Sequence, residues 1–143
     1  MATDLIAVMD TGERMLVRMP ATLDSIDEAD AAISGRLERV VPPSDLFAAR
    51  IILREAVLNA VTHGSGNDAC KQVEVAVEFD KDGVTMKVRD EGAGFDWARA
   101  TGDFDITGDG GRGLALMRIY SSDMTFNASG NCVVLRRDYT RNG

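Results

Sequence analysis

Apolar positions recur along this chain with two different periods. Leu23, Ile26, Ala29 or Asp30, Ile33 and Leu37 stand near helical spacing. That predicts a helix capped by Thr22 or Asp24, acidic early and ending at about Val40, before Pro42-Pro43. A second helix is expected from about Leu46 to His63, capped by Ser44 or Asp45 and ended by Gly64 and Gly66. Leu46, Ala49, Leu53, Ala56, Val57 and Ala60 share one of its faces, and Ile51, Ile52, Leu58 and Val61 fall on the others. A helix apolar nearly all round belongs at the centre of the packing. Arg50, Arg54, Glu55, Asn59 and Thr62 interrupt it.

The period then shortens to two. Val73, Val75, Val77 and Phe79 alternate with polar or small residues, Asp80-Lys81-Asp82-Gly83 turns the chain, and Val84, Met86 and Val88 continue the pattern as a hairpin. Gly113 to Tyr120 reads as a helix, followed by a strand from Met124 to Ala128, a turn at Ser129-Gly130-Asn131 and a strand from Cys132 to Arg137. Upstream, Arg14 to Met19 reads as a short edge strand ending at Pro20, and residues 1–12 as a weakly periodic N-terminal extension. Residues 139–143 form a short polar tail expected to be poorly ordered. Residues 13–138 then make one α+β domain, a two-layer α/β sandwich whose mixed, mostly antiparallel sheet of four to five strands carries helices on one face.

Composition narrows the function. The chain has 143 residues, 45% of them hydrophobic, which suits a single domain with a real core. Its apolar runs are far shorter than the roughly 20 residues that cross a bilayer, so the expectation is a soluble, cytoplasmic protein without a membrane partner. A net charge of −7 opposes binding to nucleic acid through phosphate neutralisation. Cys70 and Cys132 lie far apart and His63 is the one histidine, a poor basis for a disulfide framework or a zinc site.

Three segments carry candidate chemistry. Glu55 and Asn59 stand one helical turn apart on the same side, with His63 a turn further on. A carboxylate on a mostly buried helix needs a partner, and the amide oxygen of Asn59 suits a hard cation such as Mg2+. The plainer reading is a core Asn beside a partly exposed Glu. Asp90 ends a strand ahead of Glu91-Gly92-Ala93-Gly94-Phe95, where two glycines let the backbone approach a flat ligand. An ionised carboxylate only accepts hydrogen bonds, so an exocyclic amino group such as that of adenine is its natural counterpart. The alternative is an ordinary turn returning Phe95 to the core. Thr107-Gly108-Asp109-Gly110-Gly111-Arg112-Gly113-Leu114 sets glycines directly before a helix, where free backbone N–H groups face an anion and Arg112 adds a fork of donors. Here the alternative is a loop with Arg112 solvated.

Taken in order, the three segments resemble the boxes of the GHKL superfamily of ATPases and kinases with the Bergerat ATP-binding fold. Glu55-x-x-x-Asn59 resembles the N box, Asp90-x-Gly92-x-Gly94 the first glycine box, and Gly111-Arg112-Gly113-Leu114 the second. REAVLNAVTHG, VRDEGAGFDW and GRGLALMRIYSSDM are most similar to the RsbW/SpoIIAB family of anti-sigma factors, small serine-protein kinases. The resemblance implies ATP or ADP with Mg2+ as ligands. It makes Glu55 the general base for a serine hydroxyl and Asn59 the Mg2+ ligand. Asp90 would bind the adenine amino group, with Gly92, Gly94 and Phe95 around the base. Thr107, Gly110, Gly111, Arg112, Gly113 and Leu114 would surround the phosphates, and residues 96–109 would form a lid that closes over nucleotide. It further implies a STAS-type antagonist and a sigma factor as partners, and a homodimer. Where many relatives carry a threonine after the last hairpin glycine, this chain has Asn131. His63 reads as structural at a helix C-terminus, and Trp97 as packing against the lid, with a place on a partner surface as the alternative.

Two other functions compete with the kinase. One is a binding module that keeps nucleotide recognition but acts by sequestration. The other is the catalytic domain of a histidine kinase, which would make the chain a fragment.

Overall fold

The computed structural model describes residues 7–64, 68, 70–91 and 111–140. Two strands, β1 (Ala7–Asp10) and β2 (Arg14–Pro20), lead into helices α1 (Leu23–Val40) and α2 (Pro43–Asn59), the latter prolonged by a π-helical turn over Ala60–Gly64. Strands β3 (Gln72–Phe79) and β4 (Gly83–Asp90), helix α3 (Gly111–Tyr120) and strands β5 (Asp123–Phe126) and β6 (Cys132–Asp138) follow.

The strands form one six-stranded sheet in the order β1-β2-β3-β4-β6-β5, and every described pair is antiparallel. Sequence alternation chooses the faces. Val73, Val75 and Val77 of β3, Val84, Met86 and Val88 of β4, Met15, Val17 and Met19 of β2, and Val133 and Leu135 of β6 are buried. They meet Ile26, Ala29, Ile33 and Leu37 of α1, Ala49, Ile52, Leu53, Ala56 and Val57 of α2, and Leu114 and Met117 of α3 in one core. The opposite face carries cross-strand ion pairs, Arg14 with Glu78 and Arg18 with Glu74. Such exposed pairs contribute up to about 1 kcal/mol each, so the buried face dominates the stability.

Several expectations change. The sheet has six strands instead of four or five, because Ala7–Asp10, read as part of an extension, pairs with β2 from Ala7↔Arg18 to Asp10↔Met15. Strand β2 is consequently interior, with β1 and β5 as the edges. Thr22 caps α1, its hydroxyl accepting from the Ser25 amide at 3.2 Å, but Leu23 is exposed. Helix α2 starts at Pro43, with Pro42 at the cap position and no side-chain cap. Proline suits the first helical turn because its missing N–H has no partner there.

Asp45 is therefore not a cap, and its role is larger. It is fully buried and accepts from Arg137 Nη2 at 3.0 Å and Nε at 3.2 Å, from the Thr140 hydroxyl at 2.8 Å and from the Thr140 amide at 2.9 Å. Arg137 also donates to the Tyr120 carbonyl at 3.0 Å, satisfying an oxygen at the end of α3. One carboxylate thus ties the start of α2 to β6, to the end of α3 and to Thr140, a residue expected in a loose tail.

Burial alone would raise the Asp45 pKa. Hydrogen bonds from Thr140 and Arg137 outweigh it and hold the carboxyl below its ordinary 3.8. A carboxyl whose pKa falls on folding adds stability above its unfolded value, and that stability is lost as pH drops through the folded value. Asp45→Asn should destabilise the protein by about 3 kcal/mol at neutral pH, because it leaves Arg137 without its anion. Chemical denaturation at pH 7 and at pH 3 checks this: the penalty of the variant should shrink at the lower pH, and an equal penalty at both would reject the charge-based account.

Candidate functional site

Helix α2 runs α-helical through Asn59 and then widens into the π turn, where the expected helix continued unchanged to His63. The Thr62 hydroxyl donates back to the Leu58 carbonyl at 2.8 Å, and no breaker stands in the sequence before Gly64. Single π turns inserted into α-helices are frequent at functional sites. This one begins directly after Asn59.

The head of α3 meets that same point of α2. A Cβ placed on Gly113 would lie 3.0 Å from Glu55 Oε1, 3.3 Å from Asn59 Oδ1 and 3.7 Å from Asn59 Nδ2. The absence of a side chain at Gly113 lets the first turn of α3, whose N–H groups have no partner within the helix, come this close to both polar ends without displacing them. The two sequence segments are thereby joined in space: carboxylate, amide and helix N-terminus face one another. Leu114 is buried in the core, so what it can offer a ligand is its backbone N–H.

The third segment closes the arrangement from the sheet. Asp90, the last residue of β4, is buried at 6% exposure, and its amide donates to the Asn131 carbonyl at 2.9 Å. Asn59, Asp90 and Asn131 are the polar lining of a pocket whose walls include Ala56, Val88, Met117, Phe126 and Val133. Its cavity volume is about 20 Å³, and it opens to solvent. Apolar walls with a few convergent polar groups are the usual form of a small-molecule site, and a buried carboxylate at the floor selects a donor such as an amino group. Gly92, Gly94, Phe95, Trp97, Thr107 and Gly110, with the expected lid over 96–109, lie outside the described residues, as do the side chains of His63 and Arg112.

A family model described as the histidine kinase-like ATPase domain matches residues 19–137. The chain belongs to that family. As a histidine kinase-like ATPase domain it is an ATP-binding domain of the GHKL superfamily, and its antiparallel sheet with helices on one face agrees with that fold. Among curated proteins, no sequence matches the chain.

The residues present fit a nucleotide with its metal. Asp90 offers an acceptor in an apolar pocket, α3 offers N–H groups, and Asn59 offers an amide oxygen beside them. Among the described residues no three His, Cys, Asp or Glu side chains gather as a metal cluster. A cation at Asn59 would accordingly share its ligands with phosphate oxygens and water, as Mg2+ commonly does. No helix among the described residues is long and apolar enough to cross a membrane.

Three contributors escaped the sequence reading. Met117 and Phe126 line the pocket from elements read as plain helix and strand. Asn127 organises the turn that carries Asn131, and its only sequence signal is an asparagine ahead of Gly130, a common turn pairing.

The close approach at Gly113 makes a direct forecast. Gly113→Ala should change stability by no more than about 1 kcal/mol, since alanine favours the helix, yet displace Glu55 and Asn59 and weaken Mg-ADP binding at least about tenfold, about 1.4 kcal/mol. Calorimetric titration beside a thermal melt checks both halves; unchanged affinity would show that the approach does not shape the site.

Proposed function

We propose that this histidine kinase-like ATPase domain is an anti-sigma factor with serine-protein kinase activity, which phosphorylates a STAS-type antagonist and otherwise sequesters a sigma factor in the cytoplasm. The observation that carries the reading is the Glu55 carboxylate standing at the head of α3, 3.0 Å from where a Gly113 side chain would begin. A pocket that only held nucleotide would have no need of a carboxylate there. A kinase does, because the hydroxyl it phosphorylates must lose a proton.

In this reading Asp90 fixes the base, the α3 N–H groups hold phosphate oxygens, and Asn59 orients the metal, which when bound neutralises charge on the phosphates. The serine Oγ forms a bond to the γ-phosphorus as the bond from that phosphorus to the β,γ-bridging oxygen breaks. Glu55 accepts the serine proton, and ADP leaves with the bridging oxygen. The antagonist gains close to two negative charges, and a protein of net charge −7 then repels it, which frees the kinase for the sigma factor.

Incubation with Mg-ATP and a STAS-domain antagonist should label one serine of the antagonist, and Glu55→Ala should lower the rate at least about a hundredfold, the lower range for removing a general base, while Mg-ADP binding is retained. Nucleotide binding without labelling would favour a sequestering module, and an acid-labile phosphohistidine would favour a histidine kinase.

A further inference from the structure

The face of the sheet turned away from the helices carries an ordered pattern of charge. Its outward positions are Arg14, Leu16 and Arg18 on β2, Glu78, Ala76 and Glu74 on β3, and Thr85, Lys87 and Arg89 on β4. The register sets these columns side by side, with Ala76 between Leu16 and Lys87 and Glu74 between Arg18 and Arg89. Both acids of β3 are engaged from the β2 side, Glu78 by Arg14 at 3.3 Å and Glu74 by Arg18 at 2.9 Å. Lys87 and Arg89 have no carboxylate partner among the described residues. The next strand supplies none, because β6 sets Val134 opposite Lys87 and Cys132 opposite Arg89.

An apolar row runs between the charges. Met9, Leu16, Ala76, Lys87 and Val134 are successive cross-strand partners, and Met9 is 65% and Val134 36% exposed. The outward face of a solvated antiparallel sheet is ordinarily polar, so a continuous row of this kind is surface suited to being covered. Over it lies a basin bordered by Leu16, Ala76, Lys87 and Arg89, with a cavity volume of about 400 Å³. Four cations face two carboxylates across β2 to β4, on a chain of net charge −7. The local sign is opposite to that of the whole molecule, which favours an acidic visitor.

We propose that the open face over β2, β3 and β4 docks an acidic segment of a partner protein, whose carboxylates pair with Lys87 and Arg89 while an apolar side chain covers Leu16 and Ala76. Lys87 and Arg89 stand two positions apart on one strand, about 7 Å. Alternate side chains of an extended segment have the same separation, so neighbouring acids on one side of it meet both cations. A nucleic acid or an anionic membrane would ask for cations alone, whereas Glu74 and Glu78 stand in the middle of this face and would repel it. The face lies across the sheet from Glu55 and Asn59, and the inference uses neither the nucleotide reading nor its residues.

The test titrates the intact nitrogen-15-labelled protein with a synthetic peptide that carries leucine, glutamate and glutamate at alternate positions among serines, and follows the amide spectrum. Saturable shifts are expected at Leu16, Ala76, Lys87 and Arg89, weakening as salt is added. Lys87→Glu should reduce the affinity at least about fivefold, the worth of one exposed ion pair at the top of its range. Leu16→Ser, a second variant that leaves the charges in place, should reduce it as well, and the dispersion of each amide spectrum reports that the variant is folded. Shifts centred on the helical layer, no saturable shifts, undiminished binding in both folded variants, or equal binding of a peptide with lysine in place of glutamate would each overturn the proposal. Self-association that covers the same residues without peptide would overturn it too, in favour of a second copy of the chain.

Discussion

The site exists because α2 and α3 are held against each other at both ends. At one end Gly113 brings the first turn of α3 within 3.0 Å, measured to a notional Cβ, of the Glu55 carboxylate. At the other, Arg137 joins Asp45 in the first turn of α2 to the carbonyl of Tyr120, the last residue of α3. Phe47 and Tyr120 meet there as well, with ring centroids 5.8 Å apart and edge to face. The first contact is tight for any side chain at 113, and the second is a buried charge pair. Each is costly to imitate, since a larger residue at 113 crowds the polar groups and an unpaired Asp45 would be a buried charge.

Between these two ends α2 must serve both core and site. Ile52, Leu53, Ala56 and Val57 lie in the core, while Glu55 and Asn59 reach the polar junction with the head of α3. The π turn after Asn59 changes the helix just where its polar side chains are used. From the sheet side, β4 delivers Asp90 at its last position, and the β5–β6 turn delivers Asn131 beside it. The amide of Asn59, the head of α3 and the carboxylate of Asp90 thus come from elements far apart in sequence, which the antiparallel sheet brings to one edge of the helical layer.

Much of this could be read from the residues. The period-two pattern of Val73 to Val88 and the helical spacing of Ile26 to Leu37 placed β3, β4 and α1, because one face of each is buried and the other is not. Glu55 and Asn59 were legible as polar interruptions of an apolar helix, and Asp90 as the acid that ends a strand before a glycine turn. Strand β1 was not, because all four of its residues are exposed and no alternation marks them. Asp45 read as a cap because a local pattern shows an acid before a helix, while its partners Arg137 and Thr140 lie at the other end of the chain. That Asn127 accepts three backbone amides of the β5–β6 turn is a fact of folded geometry that no spacing records.

The proposed nucleotide site depends on Asp90 as the acceptor that would select the base. Asp90→Asn preserves size and replaces one acceptor with a donor, so calorimetric titration of wild type and variant with Mg-ADP isolates that role. The account predicts one saturable site in the wild type and at least an about tenfold weaker one in the variant, with the thermal melt little changed. Equal affinity in the two proteins would contradict it.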